Sequence, residues 1–245
     1  MRTSVMTGLV VLALVPARGI ADPDLPMTAA RIIERVAKRS AANTIAREGL
    51  AWTKTEITYD TGRTPERRKS KKAWDIWITD GVTWQQKVAE NDRVIENQVT
   101  ERQIPDFTAS LATLYRYELA YPPLQKDPVS GAMCWAVRFS PSPGAQPSGI
   151  KEEVAGLLTG TMYIDEHGYW IRYAEGKLSK QHSVALVLGR AHELSFTLQQ
   201  IEELGAVMPN RITLRYRYSA LHRILTFRGQ VKERKTIIFS DFRLL

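Results

Sequence analysis

Cysteine is nearly absent from this 245-residue chain, and the single Cys134 excludes an internal disulfide. It lies in the apolar run Ala132 to Phe139, where a buried, inert thiol is expected rather than a reactive one. Histidine is almost as scarce. His167, His182, His192 and His222 include no pair at the i, i+4 spacing of a helical zinc site. There is no Gly-x-Ser-x-Gly elbow and no phosphate-binding glycine loop. Asp165, Glu166 and His167 are adjacent, but on a tight turn such residues are turn formers before they are metal ligands. These absences together argue against an enzyme, so no catalytic residue, metal ligand or cofactor is expected. The chain also lacks an internal repeat and any Pro- or Ser-rich linker long enough to divide it. One domain is expected.

No apolar run reaches the roughly 20 residues that span a bilayer as a helix. The run Thr7 to Val15 follows a basic start at Arg2 and precedes the small residues of Gly19-Ile20-Ala21. That order matches a secretory signal over residues 1–21, cleaved after Ala21, better than a membrane anchor. The exported chain over 22–245 would lose Arg2 and Arg18 and no acids, lowering the net charge from +8 to +6. A basic exported protein meets anionic lipid headgroups or envelope polymers rather than nucleic acid. No cysteine follows the cleavage site, so a periplasmic protein without a lipid anchor is expected.

From Thr28 to about Ala46, Ile32, Ile33, Val36 and Ala37 recur on one side among Arg31, Glu34, Arg35, Lys38 and Arg39. This is an amphipathic helix with a narrow stripe that packs on a sheet. Strand patterns begin at Leu50, run through Trp52 to Tyr59, and break at Asp60 to Ser70, which reads as a long exposed turn. Asp80-Gly81 predicts a type I′ hairpin pairing Thr79 with Val82, Trp77 with Trp84 and Ala73 with Val88. Asp106 is positioned to cap a short second helix over Phe107 to Thr113. A strand follows through Tyr115, Tyr117 and Leu119, with Pro122 to Gly131 as the turn into Ala132 to Ser140.

The stretch Gly160 to Tyr173 reads as a central hairpin whose three-residue loop places Gly168 in the left-handed region. That register sets Asp165 opposite Tyr169, Tyr163 opposite Ile171 and Ile164 opposite Trp170. Alternating strands through Leu194 to Gln199, Ile212 to Tyr218, Ile224 to Arg228 and Thr236 to Phe242 complete an α+β chain. Its antiparallel sheet is expected to curve round the helix. Both hairpins carry bulky apolar groups on both faces, which a sheet open to water on one side does not.

The runs Leu114 to Leu119, Gly131 to Pro141 and Gly160 to Asp165, with Ile171-Arg172 and Phe239-Ser240-Asp241-Phe242-Arg243, resemble those of bacterial outer-membrane lipoprotein-sorting proteins. The resemblance implies an unclosed β-barrel wrapped over helices, with an apolar cavity that in chaperone members takes lipoprotein acyl chains. Receptor members are lipid-anchored through an N-terminal cysteine that this chain lacks. The cavity candidates are Trp52, Trp74, Ile76, Trp77, Trp84, Tyr163, Ile164, Trp170 and Ile171. The expected function is non-catalytic shelter of a lipid or lipoprotein acyl chains in the periplasm; the alternative is an envelope sensor or interaction module with a protein partner. The basic run Arg63, Arg67, Arg68, Lys69, Lys71 and Lys72 reads as a solvated turn, or as a docking site for anionic membrane or an acidic partner.

Overall fold

The computed structural model describes residues 27–95, 98–101, 114–145, 156–179, 182–183, 190–221 and 228–245. The N-terminal helix α1 spans Ala29–Ala46, and the hydroxyl of its N-cap, Thr28, accepts from the Arg31 amide at 3.3 Å. Ala29, Ile32, Val36 and Asn43 are its buried residues. Their spacing places them on one side of the helix.

Thirteen strands follow among the described residues: β1 (Leu50–Asp60), β2 (Arg67–Thr79), β3 (Val82–Glu90), β4 (Arg93–Val94), β5 (Thr100–Glu101), β6 (Tyr115–Lys126), β7 (Met133–Pro141), β8 (Leu158–Asp165), β9 (Ile171–Leu178), β10 (His182–Ser183), β11 (Arg190–Glu203), β12 (Ala206–Leu221) and β13 (Arg228–Leu244). They form one antiparallel sheet in the order β4-β3-β2-β1-β13-β12-β11-β9-β8-β7-β6, with β10 on β11 and β5 on β3. Hairpins build each wing, and the pairing of β1 with β13 joins them. The sheet does not close, since β6 and β4 are its two ends. The fold is therefore the expected α+β unclosed barrel with a helix against it. The expected short second helix lies outside the described residues, as do most of Ile224 to Arg228 and the proposed signal segment.

Several registers depart from the sequence expectation. The Asp80-Gly81 turn has φ of 54° and 72° and pairs Thr79 with Val82 and Trp77 with Trp84 as predicted. Beyond Trp74 a bulge sets Ala73 opposite Ala89 instead of Val88. The stretch Asp60 to Ser70 is not one long turn, because β1 runs to Asp60 and β2 starts at Arg67. Pro122 and Pro123 do not form the turn either. They fall in β6, where the register slips between Leu119 and Leu124, a place where missing amide donors cost no ladder bonds. The turn is built by Asp127, whose carboxylate Oδ1 accepts from the Val129 and Ser130 amides at 2.8 and 2.7 Å.

The central hairpin also differs. Asp165 N–H donates to the Trp170 carbonyl (2.8 Å) and Tyr169 N–H to the Asp165 carbonyl (3.2 Å), so the loop is Glu166 to Tyr169. Tyr169, with φ of 52°, is the left-handed residue, not Gly168. Ile164 faces Ile171 and Tyr163 faces Tyr173, with a bulge between. The cause is the Asp165 side chain, which accepts from the His167 and Gly168 amides at 3.1 and 2.6 Å and turns the chain before the glycine is reached. Gly168 serves for room, since a Cβ there would stand 2.8 Å from Trp170 Cδ1.

Two apolar clusters lie on the sheet. In the first, Ala29, Ile32 and Val36 of α1 join Leu114, Tyr115, Val137, Phe139, Met162, Ile164 and Ala174. In the second, Leu50, Trp52, Ile76, Ile78, Ala206, Met208 and Phe239 come from strands and their flanks alone. The helix is tied between them. Asn43 donates to and accepts from the Val207 backbone at 2.8 and 2.6 Å, Arg47 donates to the same carbonyl at 2.5 Å, and Arg39 pairs with Glu202 at 2.9 Å.

Candidate functional site

Strand pairing lays one continuous apolar row along the helix-side face. It runs Ile237, Ile212, Leu198, Ala174, Met162, Val137, Leu119 across seven strands, each residue opposite the next. A parallel row runs Leu214, Phe196, Gly176, Gly160, Phe139, Tyr117. The two opposed glycines leave space that aromatic rings occupy. A Cβ on Gly176 would stand 2.5 Å from Phe196 Cε1 and 3.0 Å from Phe139 Cζ. The rings of Phe139 and Phe196 are 6.4 Å apart, and Tyr115 meets Phe139 edge-on at 5.1 Å.

Helix α1 covers only one end of these rows. Its side chains belong to the first cluster and to none of the second. Around the second cluster Trp74, Ile201, Ile212, Ile237 and Phe242 are only partly buried. The apolar row ends there in charge, because Ile237 is opposite Glu56 and Glu56 is opposite Lys72. Lys54 lies 4.4 Å from the centre of the Trp74 ring and 3.4 Å from Glu56, which pairs with Lys235 at 2.9 Å. Burial pushes the Glu56 carboxyl up, but the Lys235 and Lys54 ammonium groups outweigh it and hold the pKa below the usual range. The inner face is thus an apolar floor with a half-buried ionic border.

The predicted cavity residues fall in three places. Trp52, Ile76 and Ile164 are buried in the two clusters, and Trp74 and Ile171 pack at their margins. Trp77 and Trp84 are cross-strand partners on the opposite face, since strand alternation turns Trp77 away from Ile76 and Ile78. Tyr163, between Met162 and Ile164, also faces outward, with its ring 5.8 Å from that of Tyr173. Trp170 is buried beside a separate cavity of about 400 Å³ lined also by Asp127, Arg172, Gln199 and Glu202. The expectation that both faces of the central hairpin are apolar is corrected along β8 and β9, whose outer face bears Thr161 and Glu175 beside Tyr163 and Tyr173. Sequence reasoning missed Lys54, Glu56 and Lys235. The signal was available, because Lys54 and Glu56 share the parity of Trp52 along one strand.

The turn reading of the basic run is corrected from Arg67 onward. Arg67 to Lys72 lie in a strand, and most are paired: Arg68 and Lys71 with Asp92 at 2.6 and 2.8 Å, Lys69 with Glu233 at 2.5 Å, Lys72 with Glu90 at 3.5 Å. Arg63 and Arg67 have no carboxylate partner among the described residues. The reading of Cys134 as buried and inert holds, with burial pushing its pKa up to about 12.

Asp165 is held in its ionised form by the hairpin around it. Burial raises its pKa, but the Gly168 amide, the Arg172 side chain at 2.7 Å and the His167 amide together hold it below the usual range. A depressed folded-state pKa stabilises the protein above the unfolded value near roughly pH 4, and that stability is lost as pH falls through the folded value. Asp165→Asn is expected to cost about 1–3 kcal/mol at pH 7. Urea unfolding should show the gap to the unmodified protein shrinking at pH 3; an equal gap at both pH values would discard this role.

No family model matches the sequence, and no curated protein matches it. Solved structures similar to the chain include a LolA superfamily protein from Nitrosomonas europaea, 9% identical over 90% of this chain and 94% of that one, with a TM-score of 0.41. A putative outer membrane lipoprotein-sorting protein domain from Vibrio parahaemolyticus is 11% identical, covering 86% of this chain and 93% of that one, TM-score 0.36. The Pseudomonas aeruginosa MucA/MucB complex contains a chain 9% identical, covering 85% of this chain and 98% of that one, TM-score 0.29.

Proposed function

We propose that this protein is a non-catalytic periplasmic binding module that shelters an apolar ligand, a lipid or the acyl chains of a lipoprotein, on the inner face of its open sheet. The observation that carries the reading is that the apolar row continues past the helix to Ile212 and Ile237, which remain partly exposed beside Trp74. An acyl chain laid along that floor removes water from both partners. Each buried methylene contributes about 0.8 kcal/mol, so a long chain is worth on the order of 10 kcal/mol before ordering costs. The Lys54, Glu56 and Lys235 border suits the polar end of an amphiphile. Release to another carrier then requires only a higher affinity there and movement of α1 against the sheet.

The test is fluorescence of an anilinonaphthalene sulfonate probe with delipidated protein, followed by competition with palmitate or a synthetic diacyl lipopeptide. Saturable probe binding and displacement are expected. Ile237→Glu should weaken displacement at least tenfold, about 1.4 kcal/mol or more, while Ile238→Thr on the opposite face leaves it unchanged. A folded sample that binds no probe contradicts the proposal.

A further inference from the structure

The outer face, away from α1, carries a second arrangement that the acyl-chain reading does not use. Strand pairing lines up Thr161, Glu175, Thr197, Thr213 and Thr236 in one row. The adjacent row is Thr159, Lys177, Ser195, Arg215 and Arg234. Chain neighbours Met162, Ala174, Phe196 and Ile212 belong to or pack on the inner clusters, so strand alternation turns these two rows outward. A cavity of about 650 Å³ lies over them, lined by Thr161, Glu175, Lys177, Ser195, Thr197 and Arg215 among others. A second of about 320 Å³ adjoins it, sharing Thr159, Thr161 and Lys177 and reaching Glu118, Arg138 and Ser140.

Several cations of the sheet are neutralised by a carboxylate, whereas the three that line this groove are not, among the described residues. Lys54, Arg68, Lys69, Lys71, Lys72, Arg217, Arg234 and Lys235 each pair with a carboxylate. Arg138, Lys177 and Arg215 have no such partner among the described residues. Glu175, which lines the same groove, instead accepts from the Tyr173 hydroxyl at 3.1 Å. Arg215 also stands directly opposite Arg234, a like-charge cross-strand pair that destabilises a sheet. Arg234 is held by Glu66 at 2.5 Å and lies 4.4 Å from the centre of the Tyr59 ring, which leaves Arg215 with the uncompensated charge.

Lys177 and Arg215 sit on strands either side of Ser195, two strand spacings or roughly 10 Å apart at the backbone. Long side chains from those positions can converge on one anion above the serine hydroxyl. The neighbouring threonines offer hydroxyls to hydrogen-bond ring oxygens and methyls to pack on C–H groups. We infer that this outer groove binds an anionic saccharide, a polyhydroxylated ring whose phosphate or carboxylate is held by Lys177 and Arg215.

Titration calorimetry of the full chain with glucose 6-phosphate, glucuronate, glucose and inorganic phosphate, at low salt, tests it. One or both anionic sugars should bind saturably and at least ten times tighter than glucose or phosphate. Lys177→Gln with Arg215→Gln, both exposed positions, should weaken that binding at least tenfold while far-ultraviolet circular dichroism and palmitate competition stay unchanged. Thr197→Val should bring the anionic sugar down toward the affinity of phosphate alone. Binding that survives the double substitution, sugar affinity no greater than that of phosphate, no binding at all, or a response only to phosphatidylglycerol vesicles each overturns the assignment. The palmitate competition separates this outcome from failure of the inner-face reading, because the two sites lie on opposite faces.

Discussion

Gly160→Val is expected to abolish folding or to cost about 3 kcal/mol or more in urea unfolding. Any Cβ at that position overlaps the Glu175 carbonyl oxygen and stands 2.7 Å from Gly176 Cα and 2.8 Å from Phe139 Cζ. Two of those contacts are with backbone, which cannot rotate aside as a side chain would. Relief would require β8 and β9 to part, breaking the pairing on which Tyr163, Met162 and Thr161 depend. The Phe139 and Phe196 rings would lose their space at the same time. Gly144→Ala is the control, because a Cβ there meets nothing within 4 Å. It should change stability by no more than about 0.5 kcal/mol. A Gly160→Val protein as stable as that control would show that the two rows are packed otherwise.

Ile32→Ala should lower stability by about 2–5 kcal/mol. Ile32 is fully buried and is the central helix residue of the first cluster, between Ala29 and Val36 on one face. Truncation removes its contacts and leaves a void that the surrounding strands, held by their ladders, cannot close. Ile45→Ala, at a position 78% exposed, should change stability by about 0.5 kcal/mol or less. The substitution also bears on function. A helix less firmly seated over Val137, Met162 and Ile164 uncovers more of the apolar row, so probe fluorescence per molecule should rise under native conditions. A loss below 1 kcal/mol would mean that α1 is held by its polar ties to Val207 and Glu202 rather than by its stripe.

How far the chain could be read in advance differs from element to element. Helix α1 was legible because its stripe is local, recurring within a few residues along the chain. The Asp80-Gly81 turn was legible because positive φ at two successive positions demands that dipeptide. The central loop was misread by one residue, since glycine was assigned by its conformational freedom when Asp165 was setting the turn through its own hydrogen bonds. The basic run was read as an exposed turn because charge density resembles a loop. In the fold, acids from β13 and from the chain after β3 are brought alongside it. No local pattern announces a partner more than 160 residues away, as with Lys69 and Glu233.

By itself the amino-acid order determined the alternation of each strand, the helix stripe, the main turn and the scarcity of cysteine and histidine. These depend on dihedral preference and on periodicity within a few residues. Only the tertiary structure decided which apolar face the helix covers and which it leaves, because that follows from β1 meeting β13 and from the order of strands between them. Pairing of distant strands likewise joined Ile237 to Leu119 in one row and set Lys177 and Arg215 on either side of Ser195. The reason is physical: a strand's pleat specifies two faces, but what lies beside each residue is specified by hydrogen bonds to another part of the chain.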